Sequence, residues 1–125
     1  MIKFRAWNGY RKIMADYVSA IQNGDTQGTP SAVNVIVNGK NETWDIKNDD
    51  VELLQFTGLT DMNGKDIYIG DIVKYRNLDE KYQYLKIRWL QQDCMIDAGG
   101  YRIDIVARRC EVIGNVHANP ELLEE

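Results

Sequence analysis

Alternation of apolar and polar residues with a period of two dominates the chain and predicts β-strands rather than helices. The clearest example is 82–90, where Tyr82, Tyr84, Lys86 and Arg88 alternate with Gln83, Leu85, Ile87 and Trp89. Side chains two residues apart in a strand point to the same face. Tyr82, Tyr84, Lys86 and Arg88 are therefore expected to share one face of a strand.

Short turn sequences separate the other strand candidates. Asn8-Gly9 and Asn38-Gly39 both favour positive φ and predict hairpins. Residues 15–22 fit either a strand or a short helical turn, and 23–31 are rich in Gly, Thr, Asn and Pro and predict an exposed loop. A short helical tail is expected after Pro120. The predicted strands are 2–7, 10–14, 33–37, 42–46, 51–57, 67–69, 72–76, 82–90, 94–96, 101–106 and 110–117.

Strands at short spacing, joined by Gly-containing turns, are typical of a barrel or sandwich. No strand alternates with a helix of about 10–15 residues, so a parallel α/β sheet is not expected. The predicted class is mainly β, or α+β with little helix. A chain of 125 residues fits one ordinary domain or two small lobes.

The formal net charge of −4 argues against non-specific binding of nucleic acid, because such binding depends on Lys and Arg that neutralise phosphates. The charge is uneven, however, and 74–88 carries more cations than carboxylates. The N-terminus lacks the apolar stretch of a signal peptide. No apolar run approaches the roughly 18–20 residues that span a bilayer. We therefore expect a cytoplasmic protein with no membrane partner.

Candidate metal ligands and nucleophiles are few. Cys94, Cys110 and His117 form no closely spaced pair, whereas zinc takes four ligands that commonly include such pairs. Nucleophilic catalysis needs a base near the nucleophile. No part of the sequence places His117 beside Cys110. We expect no catalytic residue and no metal site, and the cysteines are interpreted as small apolar side chains.

Two further motifs resemble functional loops but fit turns better. In 57–65 the glycines are six residues apart, and Asp66 stands where a P-loop has Ser or Thr before a helix. A calcium loop starting at Asp61 would place Ile72 at the position of the bidentate Glu. Gly70-Asp71 is interpreted as a turn in which the carboxylate accepts backbone N–H bonds. No cofactor is expected.

Three segments, taken together, resemble the YopX family of phage and prophage proteins. They are IKFRAW at 2–7 with 12–14, LQFTGLTDMNGKDIYIGDIV at 54–73, and EVIGNVHANPELL at 111–123. Members usually carry an acidic residue after the Arg-Ala-Trp segment, and here Asn8 serves the same turn. Residues 15–48 and 76–109 match no motif of the family.

The resemblance implies a phage or prophage origin, hence the cytoplasm of a bacterial host. It also implies an N-terminal β region over 1–50 and a C-terminal SH3-like small barrel over 51–125, which could form one continuous domain. It implies no activity, because the family is generally described as being of unknown function. Fold alone does not supply one.

The sequence therefore predicts a non-enzymatic binding or assembly module of unidentified partner. Self-association into a homo-oligomer and a protein partner both fit. The alternative is a nucleic-acid-binding barrel that uses Tyr82, Tyr84, Lys86 and Arg88, because small barrels bind single strands with stacked aromatics and cations. An exposed, solvated β face explains the same four residues. A hydrolase with Asp or Cys chemistry is the third hypothesis.

Overall fold

The computed structural model describes residues 3–23 and 30–124, which are built mostly of antiparallel β-strands. Strands make up 59% and helices 8%, so the predicted mainly β class is confirmed. The elements are β1 Phe4–Asn8, β2 Ile13–Met14, β3 Tyr17–Asn23, β4 Pro30–Val37, β5 Lys40–Asp45, β6 Val51–Thr60, β7 Asp66–Tyr68, β8 Asp71–Arg76, β9 Tyr82–Leu90, β10 Met95–Ala98, β11 Tyr101–Arg102, α1 Ile103–Ala107, β12 Cys110–Asn115 and a 3-10 helix Pro120–Leu123.

The chain divides into two compact units, and the division falls within β6, between Gln55 and Phe56. We call them the N-terminal unit and the C-terminal unit. The domain boundary predicted at residue 50, and the alternative of one continuous domain, stay predictions.

The N-terminal unit pairs β3, β4 and β5 in one sheet, and β1 pairs with β2 and with the first half of β6. Branched residues of β4 form the centre of its core, since Val33 and Val35 are fully buried. Trp44 of β5 packs in the same cluster with Ala6 and Ala15. This core follows from the period-two alternation of β4, which places both valines on one face.

The hairpin predicted at Asn38-Gly39 is confirmed, because both residues have positive φ and Val37 pairs with Lys40. At Asn8-Gly9 the chain also returns, but the predicted strand 10–14 is shorter. Only Ile13–Met14 pairs with β1, after a turn in which Lys12 has positive φ. Residues 15–22, which fit either a strand or a helical turn, lie mostly in strand β3. Most of the predicted loop at 23–31 lies outside the described residues.

The C-terminal unit is organised by a curled sheet with the strand order β11-β10-β9-β8-β12. All of its pairings are antiparallel. The concave side carries the core, which includes Val73 and Tyr75 of β8 and Leu85 and Ile87 of β9. The other side of β8 and β9 carries their cations, Lys74 and Arg76 of β8 and Lys86 and Arg88 of β9. The SH3-like assignment stays a prediction.

One predicted strand is wrong: in 101–106 only Tyr101–Arg102 is extended, and α1 follows. In a strand Ile103 and Ile105 would share a face. In the helix Ile103 and Val106, three residues apart, pack on the core, while Ile105 is 52% exposed. Burial of the Val106 side of the turn overrides the β preference of these branched residues.

Candidate functional site

The outward face of β9 brings together the four residues that the sequence singled out. Burial alternates along the strand, with Leu85 and Ile87 turned into the core. The even-numbered residues from 82 to 88 are exposed, so the prediction that they share one face of the strand is confirmed. The residues of this face are Tyr82, Tyr84, Lys86 and Arg88.

The neighbouring strand β8 adds cations to this face. Lys74 pairs with Tyr84 across the strands, and Arg76 pairs with Tyr82. The ammonium nitrogen of Lys74 lies 4.5 Å from the centroid of the Tyr82 ring. A cation at this distance is attracted to the ring by about 0.5–1 kcal/mol at an exposed site. The contact therefore keeps a positive charge beside the aromatic surface.

Tyr82 and Tyr84 form one side of an open groove of about 600 Å³, which we call the tyrosine cleft. Tyr82 is 61% exposed and Tyr84 is 49% exposed, so both rings are accessible to a ligand. Lys74 supplies a cation within the groove, and the 3-10 helix borders the groove with Leu122 and Leu123. The side chains that line it are Lys74, Tyr82, Gln83, Tyr84, Leu85, Leu122, Leu123 and Glu124.

A second groove of about 600 Å³ adjoins the first, because Lys74 and Tyr82 line both. We call it the arginine cleft. Arg76 is paired with Glu80, and the Arg109 guanidinium lies 3.7 Å from the same carboxylate. The cleft is lined by Met62, Lys74, Arg76, Glu80, Tyr82, Arg108, Arg109 and Glu111.

At the other end of the face, Lys86 and Arg88 differ in their surroundings. Arg88 donates from Nε to Oδ2 of Asp97 at 2.9 Å. That carboxylate also accepts the backbone N–H of Gly100 at 3.0 Å. Lys86 forms no ion pair with any residue that the structure describes. Of the two predicted cations, Lys86 therefore keeps its charge available to a ligand.

Across the two clefts and β9, cations outnumber carboxylates, although the whole chain has a net charge of −4. Sequence reasoning selected the β9 residues but missed Lys74, Arg108 and Arg109 as members of the site. The alternation of Lys74 and Arg76 along β8 is the signal that could have found Lys74. The cations are Lys74, Arg76, Lys86, Arg88, Arg108 and Arg109, and the carboxylates are Glu80, Asp97, Glu111 and Glu124.

The candidate nucleophile Cys110 and the candidate acid Asp71 are both fully buried. Burial, together with the carboxylates of Asp61 and Asp71, raises the pKa of the Cys110 thiol to about 12. Its Sγ lies 3.7 Å from the carbonyl oxygen of Ala107. Asp71 is fully buried and accepts the N–H of Tyr68 at 2.8 Å, which confirms the predicted turn.

Within 3–23 and 30–124, no group of three or more His, Cys, Asp and Glu side chains is arranged to hold a metal ion. In the same residues, no helix has both the length and the apolar composition to cross a membrane.

Comparison with known proteins gives a family and a fold. A family profile described as "YopX protein" matches residues 3–124, nearly the whole chain. No curated protein matches the sequence. Among solved structures, the chain is similar to protein EF1440 from Enterococcus faecalis. The two sequences are 27% identical, the match covers 99% of each chain, and the TM-score is 0.71.

Proposed function

This chain belongs to the YopX family, and from that premise we propose that it is a non-enzymatic binding module whose ligand is single-stranded nucleic acid. The observation that carries the proposal is the contact of Lys74 with Tyr82, beside a second exposed tyrosine in an open groove. Two exposed aromatic rings, one of which carries a cation over its face, offer stacking surface to bases and a positive charge to a phosphate.

Stacking supplies the first part of the binding free energy. A base on an aromatic side chain contributes about 1–3 kcal/mol, and it does so for every base because each has a π face. Tyr82 and Tyr84 are two residues apart on one strand, so their rings lie on the same side of the sheet. The tyrosine cleft is open along this side, which suits a flexible single strand better than a rigid duplex.

Electrostatics supplies the second part. Phosphates attract the local cations, and the released counterions make the affinity fall steeply with salt. Lys74 lies opposite Tyr84 on the neighbouring strand, and Lys86 lies two residues after Tyr84 on the same face, so both cations flank the tyrosine where phosphates of a bound strand can reach them. The negative net charge of the whole chain lowers its non-specific affinity for DNA. The cations of this face concentrate binding at one place.

A non-enzymatic role is supported by the state of the candidate groups. The Cys110 thiol is buried and protonated at neutral pH, and the Asp71 carboxylate holds a turn. These features do not favour the hydrolase hypothesis with Asp or Cys chemistry. Phage or prophage origin, a place in the cytoplasm of a bacterial host, and self-association stay predictions.

The test is fluorescence anisotropy with labelled DNA and RNA single strands of about twelve nucleotides, within the usual range of site sizes. Salt is varied between about 50 and 200 mM. The double substitution Tyr82→Ala with Tyr84→Ala should weaken binding at least tenfold. Tyr10→Ala is the matched control, because Tyr10 is 77% exposed in the N-terminal unit.

Binding that weakens with salt, and that needs the β9 tyrosines but not Tyr10, would support the proposal. An absence of binding at the lowest salt would overturn it. So would an equal loss in the control variant, since that would place the ligand elsewhere. If this face binds a protein and no nucleic acid, the proposed ligand is wrong and the face is a docking surface for a protein partner.

A further inference from the structure

We propose that the arginine cleft binds the phosphodiester backbone of the same strand, so that the strand crosses Tyr82 and its phosphate is held by Arg108. The inference rests on the proposed function and deepens it, since it names a second binding site and the residue that acts there. It also implies an oligonucleotide ligand rather than a mononucleotide.

The two clefts are continuous at Tyr82. Lys74 and Tyr82 line both grooves, and the Lys74 ammonium lies over the ring between them. A base that stacks on the face of the Tyr82 ring opposite Lys74 therefore lies next to both clefts, since this ring lines both. The backbone that leaves this base toward the arginine cleft meets the cations of β8 and of the corner between α1 and β12.

Only one arginine in this cleft is uncommitted among the described residues. Arg76 is paired with Glu80. Arg109 donates from Nε to the carbonyl oxygen of Arg76 at 2.9 Å and from Nη2 to that of Asn77 at 3.3 Å. Arg108 is exposed and forms no hydrogen bond or ion pair with any described side chain. Its guanidinium is therefore the group left for a ligand.

The backbone that carries Arg108 is held in place on both sides. The preceding helix α1 ends at Ala107, and the N–H of Arg109 bonds to the carbonyl oxygen of Val106 at 2.9 Å. The carbonyl oxygen of Arg109 then accepts the N–H of Arg76 at 3.1 Å. Arg108 thus projects from a fixed corner, which lowers the entropic cost of placing its guanidinium at a phosphate.

The chemistry of the cleft favours an anionic ligand over a neutral one. A planar guanidinium can donate two parallel hydrogen bonds to phosphate oxygens. Glu80 offsets one of the two positive charges of Arg76 and Arg109, so their part of the cleft attracts an anion less strongly. Glu111 also lines the cleft and lies opposite Lys74 in the pairing of β8 with β12, so Arg108 is the cation that remains for a phosphate.

The test compares Arg108→Gln with Arg102→Gln in the anisotropy assay. Arg102 is a matched control because it lies in the same unit and is exposed, but pairs with Asp104 at 2.9 Å. Arg108→Gln should weaken binding of a strand of about twelve nucleotides roughly three- to tenfold. Loss of one phosphate contact should also reduce the slope of log affinity against log salt by about 0.7. Arg108→Lys should restore the slope without the full affinity.

The two proposals fail in different ways. If Arg108→Gln matches Arg102→Gln while the tyrosine double variant still loses binding, the strand does not cross the arginine cleft and only this inference is overturned. If the unchanged protein binds no single strand at low salt, both proposals are overturned. Circular dichroism of each variant excludes unfolding as the cause.

Discussion

Arg88 of β9 is held by Asp97 of β10, with Nε 2.9 Å from Oδ2. The two residues are also directly opposite each other in the strand pairing. The Asp97 side chain is only 9% exposed, so it depends on Arg88 and on the N–H of Gly100 to balance its buried charge. Arg88 therefore stabilises the sheet, although the alternation places it on the same face as Lys86.

The first prediction separates these two cations. Lys86→Gln should weaken single-strand binding about threefold or more and reduce the salt slope, with an unchanged free energy of unfolding. Arg88→Gln should lower that free energy by about 1 kcal/mol, because it leaves Asp97 without its partner at a half-exposed pair. Anisotropy and denaturant titration measure the two quantities. A larger loss of binding in Arg88→Gln, without loss of stability, would contradict this division.

Asp61 organises the turn after β6, and its carboxylate is the subject of the second prediction. Oδ1 accepts the N–H groups of Asn63 and Lys65, each at 2.9 Å, and Oδ2 accepts that of Val112 at 2.9 Å. Asp61→Ala should lower the free energy of unfolding by about 2 kcal/mol or more, since three backbone donors lose a charged acceptor. Denaturant titration measures this, and Asp79→Ala, at an exposed turn residue, is the control. Equal effects would contradict it.

The same carboxylate predicts an acid dependence of stability. Burial raises the pKa of Asp61, but the three backbone N–H donors outweigh it, and the pKa lies below its ordinary value. A carboxyl group whose pKa is lowered by folding contributes stability above its unfolded pKa of about 4, and this is lost as the pH falls through the folded pKa. Asp61→Asn should therefore show a shallower acid loss of stability than the unchanged chain. Parallel curves for the two proteins would contradict this.

The face of β9 could be predicted from the sequence because strand alternation is a local property. Its residues follow from a period of two, and no other part of the chain has to be known. The contact of Lys74 with Tyr82 could not be predicted in the same way. It depends on the register between β8 and β9, which is fixed by the turn between them and by which side of each strand is buried.

The pairing of Arg88 with Asp97 has the same origin, since it requires the register of β9 against β10. The helix α1 was missed for a different reason. Ile103 and Ile105 give a local β preference. The core, however, packs against Ile103 and Val106, which are three residues apart, and this tertiary packing favours the helix over the strand. Arg108 follows this helix, so no local pattern predicts that it lines the same cleft as Tyr82.

The third prediction concerns the two thiols. Cys94 is exposed in a turn, whereas Cys110 is fully buried with its pKa raised to about 12 by burial and by nearby carboxylates. Because the thiolate is the reactive form, only Cys94 should react quickly with an aromatic disulfide reagent at neutral pH. The second thiol should react after unfolding in guanidinium. Cys94→Ser should abolish the fast phase, and a fast phase that persists in this variant would show that Cys110 is accessible.

The fourth prediction compares two adjacent glycines in the turn between β10 and β11. Both have positive φ, at 59° for Gly99 and 97° for Gly100, which L-residues rarely adopt. A Cβ at Gly99 would lie 2.6 Å from Cδ2 of Leu85, a buried core residue, whereas one at Gly100 would meet no atom within 4 Å.

Gly100→Ala should therefore lower the free energy of unfolding by about 1–2 kcal/mol, from the backbone conformation alone. Gly99→Ala adds a clash with Leu85, because overpacking a core costs roughly another 1–3 kcal/mol. Denaturant titration of the two variants gives a lower limit on the packing contribution, since a φ of 97° costs an L-residue at least as much as one of 59°. Equal losses would show that Leu85 moves aside freely. A larger loss in Gly99→Ala would show that the turn is fitted closely against the core side of β9, opposite the face proposed to bind the single strand.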